Sequence, residues 1–165
     1  MASTIEMISK AAIDWSIEVT PTGATKIESF RDCLPPGTTV NVTFLPGTDP
    51  AETIAVAERL HNDGMRPVPH LAARSLRDAD QLDELLTAFT SRCGVDEVLC
   101  IGGGVDKPVG TFDATIQVLE AGLIQKHGIR SVGVAGHPEG SPDISDEEVA
   151  EALAAKNALA ARDGL

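Results

Sequence analysis

The chain has 165 residues, 42% of them hydrophobic but only 3% aromatic, and 13 basic against 25 acidic side chains give a formal charge of −12. This length suits one domain with a sizeable core, and that core must be aliphatic, as in buried parallel strands packed on helices. The acidic balance argues against nucleic acid and anionic membranes as partners, and no apolar run nears the roughly 20 residues of a membrane span.

The stretch Met1 to Lys10 lacks a basic leader followed by an apolar segment, so it does not read as a secretory signal. Cys33, Cys93 and Cys100 are widely spaced and form no CxxC, which fits reduced thiols and a cytoplasmic location.

In chain order, Trp15–Thr20 reads as a first strand ended by the turn residues Pro21-Thr22-Gly23, with a short helix from Lys26 to Asp32. Leu34-Pro35-Pro36-Gly37 resets the chain before the β-branched run Thr39–Leu45, a second strand. Thr48 or Asp49 can cap a helix with Pro50 in its first turn, and Ala51–Asp63 places Ile54, Ala57 and Leu60 on one face.

Arg66–Leu71 reads as strand three, although two prolines without amide protons are awkward anywhere but an edge. Leu76–Phe89 repeats Leu82, Leu85, Leu86 and Phe89 at helical spacing, and Gly94 ends it. Glu97–Ile101 is strand four, running into Gly102-Gly103-Gly104. Thr111–Gln125 reads as a helix, Arg130–Ala135 as strand five, and Asp146–Ala161 as a last helix.

Five strand–helix units with short connections predict an α/β fold with a mostly parallel sheet. The pattern alone does not choose between a doubly wound sheet and part of a (β/α)8 barrel, which typically takes about 250 residues. In either case, ligands gather at the carboxyl ends of the strands.

The polar groups expected there are Glu18, Thr43, His70, the Gly102–Gly104 loop, and His137 with Glu139. An inward Glu18 in an apolar strand would be partly desolvated and suited to general-acid work. An imidazole at His70 can hydrogen-bond a ligand oxygen. Consecutive glycines let backbone amides approach a ring or a phosphate, although IGGGVDKPVG matches neither the dinucleotide nor the phosphate-loop pattern. His61, His70, His127 and His137 lack the spacing of a metal cluster.

Taken in order, IEVTP (17–21), VTFLPG (42–47), PVPHLAAR (67–74), VLCIGGG (98–104) and GVAGHPEGSPD (133–143) resemble the flavin-dependent methylenetetrahydrofolate reductase family, PHLAAR and VAGHPEG most specifically. The resemblance implies a TIM-type (β/α)8 barrel of which this chain carries about five units, with FAD at the strand ends. NAD(P)H would reduce the flavin, and the flavin would reduce 5,10-methylenetetrahydrofolate to 5-methyltetrahydrofolate.

On that resemblance, Glu18 is the acid that assists folate activation, Thr43 and His70 contact the flavin, and Lys156 contacts the cofactor pyrophosphate. Gly102, Gly103 and Gly104 stand where the family commonly carries Arg-Gly-Asp, His137 where it carries Tyr, and Ser141 where it carries His. The family's later strands, which follow the position of Lys156, are not in this sequence. A non-catalytic folate- or flavin-binding module, a subunit completed by self-association or by another chain, and a folate-dependent one-carbon or methyl transferase therefore remain open beside the reductase.

Overall fold

The computed structural model describes Thr4 and residues 13–136, 140 and 145–164. His137 and Glu139 fall outside the described residues. Five strands form one parallel sheet in the order β1-β2-β3-β4-β5: β1 Ser16–Val19, β2 Thr39–Val42, β3 Arg66–Ala72, β4 Glu97–Ile101 and β5 Ser131–Val134. Each strand lies beside its predecessor, so the order never reverses, whereas a doubly wound sheet has a reversal point.

One face of the sheet carries the core. Val40 and Val42 pack with Phe30, Val56, Leu60 and Met65, and a larger cluster joins Leu71, Val98 and Cys100 to Leu82, Leu86 and Phe89. These strand residues are register partners of one another or lie two apart, which fixes them on a single face. The helices follow from local signals. Helix α2, Pro50–Asn62, is capped by Asp49 accepting from the Ala51 amide (2.9 Å), and α3, Ala79–Cys93, by Asp78 accepting from that of Gln81 (2.8 Å).

Two expectations are corrected. No helix spans Lys26–Asp32. The helical turn α1 is Pro21–Ala24, because the Thr20 hydroxyl accepts from the Gly23 amide and Pro21 fits its first position; a 3-10 turn follows at Phe30–Asp32, where Asp63 takes the Phe30 amide at 2.8 Å.

The helix read over Thr111–Gln125 is two short ones, α4 Thr115–Glu120 and α5 Leu123–Lys126. The Gln117 side chain accepts from the Asp113 and Ala114 amides (2.6 and 3.0 Å) and so sets the later start. Helix α6 spans Asp146–Asp163.

Strand β3, prolines included, is central rather than at an edge. Amides alternate sides along a strand, and Arg66 donates to Thr38 on the β2 side at 2.9 Å. Pro67 and Pro69 therefore turn their nitrogens toward β4, and the β3–β4 ladder begins only at His70.

Candidate functional site

Parallel register stacks Glu18, Asn41 and Val68 across β1, β2 and β3, and His70 lies two residues beyond Val68 on the same face, opposite the aliphatic core. Thr43 follows β2 directly, its amide bonded to the Val19 carbonyl at 3.0 Å. Three of the residues expected at the site thus converge. The Thr43 hydroxyl donates to Glu18 Oε1 at 2.9 Å, and Glu18 Oε2 lies 3.8 Å from His70 Nε2.

Their environments differ sharply. His70 is only 6% exposed, and among the described residues neither ring nitrogen has a hydrogen-bond partner. Burial holds its pKa below the ordinary histidine value, against an opposing pull from Glu18, so the imidazole is neutral near pH 7. Glu18 is 57% exposed by its side chain, which corrects the expectation of a desolvated carboxylate. It sits on a short edge strand and is held from one side by Thr43.

The glycine loop lies over the end of β3. Gly103 adopts φ +95°, a conformation that side chains disfavour, and a Cβ there would lie 3.3 Å from that of Ala72. Gly104 approaches Pro46 of the loop after β2 (3.9 Å from a built Cβ), so the loops flanking β3 meet above it. Space in front of Gly102 is open. The His70 ring nitrogens and the glycine loop both stand at the carboxyl edge of the sheet.

Lys156 is not brought to this cluster. It interacts electrostatically with Cys100, whose side chain belongs to the opposite, aliphatic face, and burial lowers the lysine pKa. A cavity of about 480 Å³, lined by Asp14, Trp15, Thr39, Arg66 and Glu97 among others, opens at the amino ends of the strands. The buried polar atoms of His70, Arg74 and Ser75 that lack a hydrogen-bond partner among the described residues stand at the other end, and the cavity's cation, Arg66, is within 3.7 and 3.6 Å of Asp96 and Glu97. Among the described residues, no group of three His, Cys, Asp or Glu side chains could hold a metal ion, and no helix is long and apolar enough to cross a membrane.

The reading of strand-end residues missed Arg74 and Ser75, in the 3-10 turn Ala73–Ser75 that closes β3. The Arg74 amide donates to Gly102 at 2.9 Å and its guanidinium to the Asp106 carbonyl at 2.7 Å, tying this turn to the glycine loop. Polar residues immediately past a strand end were the available signal. Fold and site together define an α/β protein with a polar, partly unsatisfied cluster at the carboxyl edge of a parallel sheet. No protein-family model matches the chain.

Proposed function

We propose that this chain is a flavin-dependent reductase of 5,10-methylenetetrahydrofolate, with NAD(P)H as reductant, built on five units of a TIM-type barrel. The observation that carries the reading is the convergence of Glu18, Thr43 and the buried, unpartnered His70 at one sheet edge. The unreversed strand order, with the core on one face, favours barrel winding over a doubly wound sheet.

FAD, when bound, would supply hydride transfer. Thr43 orients the Glu18 carboxyl through Oε1 and leaves Oε2 directed toward His70 and an incoming ligand. The exposed carboxyl can deliver a proton to a folate nitrogen as the methylene bridge opens. His70, neutral and dehydrated, offers one N–H and one lone pair to a ring edge.

The test is reconstitution of the purified chain with FAD, followed by its flavin spectrum and by NAD(P)H oxidation with and without methylenetetrahydrofolate. Glu18→Gln should retain flavin reduction by NAD(P)H and lose folate reduction. A chain that takes up no flavin and oxidises no NAD(P)H refutes autonomous reductase activity.

A second reading, a subunit completed by a second copy or another chain, is favoured by the outer strand β1, where Trp15 and Ile17 are each 45% exposed. A mass measurement giving a compact monomer in dilute solution would count against it.

A further inference from the structure

The cavity at the amino ends of the strands carries a charge and an aromatic surface that the described residues leave unmatched. Ser16, Thr39 and Arg66, register partners at the starts of β1, β2 and β3, form its floor. The turn at 35–38 forms one wall and is fixed before any ligand arrives. The Pro35 carbonyl accepts from the Thr38 hydroxyl at 2.7 Å and from its amide at 3.2 Å, and the Gly37 amide donates to Gly64 at 2.8 Å. Asp14 and Trp15 complete the lining beside β1. A volume of about 480 Å³ is that of a small-molecule site.

Two carboxylates, Asp14 and Glu97, and one guanidinium, Arg66, line this space. Arg66 is already divided between Asp96 and Glu97, at 3.7 and 3.6 Å. Asp14 has neither a hydrogen bond nor an ion pair among the described residues, so its charge stands uncancelled. Trp15 beside it is 45% exposed, and no described cation stands over its ring, whereas Arg59 stands over Phe30 at 5.4 Å.

A free carboxylate next to a free indole selects a cation. The carboxylate supplies the counter-charge, and an indole face attracts an ammonium that comes within about 6 Å. The chain's formal charge of −12 concentrates cations near the surface and depletes anions. A metal ion fits less well, because the described residues offer no group of three His, Cys, Asp or Glu side chains to hold one.

We propose that this cavity binds a small organic cation, an ammonium-bearing molecule, with Asp14 as its counter-ion, Trp15 as its cation–π surface and Arg66 as the internal cation that competes with it for Glu97. Arg66 and His70 lie four residues apart on β3, about 13 Å at roughly 3.3 Å per residue, so the two ends of the sheet can be occupied at once. Occupancy here is independent of flavin at the other end.

Trp15 is the only tryptophan and the chain has no tyrosine, so intrinsic fluorescence reports this cavity alone. The experiment titrates the full chain with 1,4-diaminobutane and with tetramethylammonium at fixed ionic strength, with 1,4-butanediol as the neutral control, and maps amide NMR shifts in parallel. A saturable fluorescence change with a cation and none with the diol is expected, with shifts at Ser16, Gly37 and Arg66. Asp14 adopts φ +58°, which asparagine tolerates as aspartate does, so Asp14→Asn removes the charge without new strain and should weaken binding about two- to fivefold. Arg66→Gln should strengthen it, whereas a site for an anion or a neutral polyol would be weakened by that change.

Tighter binding of the diamine assigns a hydrogen-bonding ammonium, and tighter binding of tetramethylammonium a quaternary one. A response that does not saturate, that the diol reproduces, that Arg66→Gln weakens, or whose NMR shifts scatter over the acidic surface would overturn the site. Should Arg66→Gln unfold, Asp14→Asn and the diol still decide.

Discussion

Replacing His70 with leucine separates a residue kept for a ligand from one kept for the fold. In the unfolded chain both ring nitrogens are hydrated; in the folded chain both are buried and unpaired. Each such group costs about 1–3 kcal/mol. Against this stands a repacking cost of about 1 kcal/mol for a change of shape, since a neutral imidazole gains little from the Glu18 charge 3.8 Å away. The balance favours the variant by about 1–5 kcal/mol, and at roughly 2–4 °C per kcal/mol for a chain of this size the Tm should rise by about 2–20 °C. Urea unfolding and a thermal scan of His70→Leu beside the parent protein give the answer, with FAD binding followed in parallel and expected to fall. A variant destabilised by a similar amount would refute the reasoning, since the imidazole would then be satisfied in solution and serve the fold.

Four further outcomes follow from the same geometry. Because burial lowers the folded-state pKa of His70, the unfolded chain binds that proton more readily, so stability should fall as pH drops from the ordinary value of about 6.5 through the folded value. Glu18→Gln removes the opposing pull and should move the His70 NMR titration lower still; an upward move would contradict the assignment. Gly110→Ala places a Cβ 1.8 Å from the Arg77 carbonyl oxygen, which forces the loop off its bonds from Val109 to Arg74 and from Thr111 to Arg77. A loss of about 2 kcal/mol in urea unfolding is expected at roughly 1 kcal/mol per bond, while Gly104→Ala, with only Pro46 at 3.9 Å, should stay within about 0.5 kcal/mol. Finally, exposed Cys33 should react with a thiol reagent in the native protein; Cys93 and Cys100, whose pKa values burial raises to about 11 and about 12, should react only on unfolding.

Much of this arrangement was legible in the chain because it is local. Asp49-Pro50 announces α2, the leucine spacing announces α3, and β-branched runs between turn residues announce β2 and β4. The errors arose where a distant partner decides. Asp63 captures the Phe30 amide from 33 residues away, and no window around Lys26–Asp32 contains that competitor. The prolines of β3 looked unsuited to a central strand because sequence alone does not say which neighbour each nitrogen faces. At the site, strand-end logic predicted the meeting of Glu18, Thr43 and His70, but the burial of one beside the exposure of another depends on how the flanking loops close. Arg74 escaped notice because its importance lies in contacts with Gly102 and Asp106 across the next crossover.

The placement of Glu18 ties the chemistry to the open edge. His70 stands on a strand with neighbours on both sides, whereas Glu18 stands on four-residue β1, which pairs only with β2. Edge strands fray before central ones, since half their backbone groups have no ladder partner. Among the described residues, the only polar contact holding the Glu18 carboxylate at hydrogen-bond distance is the Thr43 hydroxyl. Any element that paired with the outer side of β1 would cover Ile17, stiffen the strand and shield the Glu18 carboxyl from water. Hydrogen exchange of the β1 amides should slow on addition of a chain that supplies such pairing, and unchanged exchange in a complex of doubled mass would show that the pairing lies elsewhere.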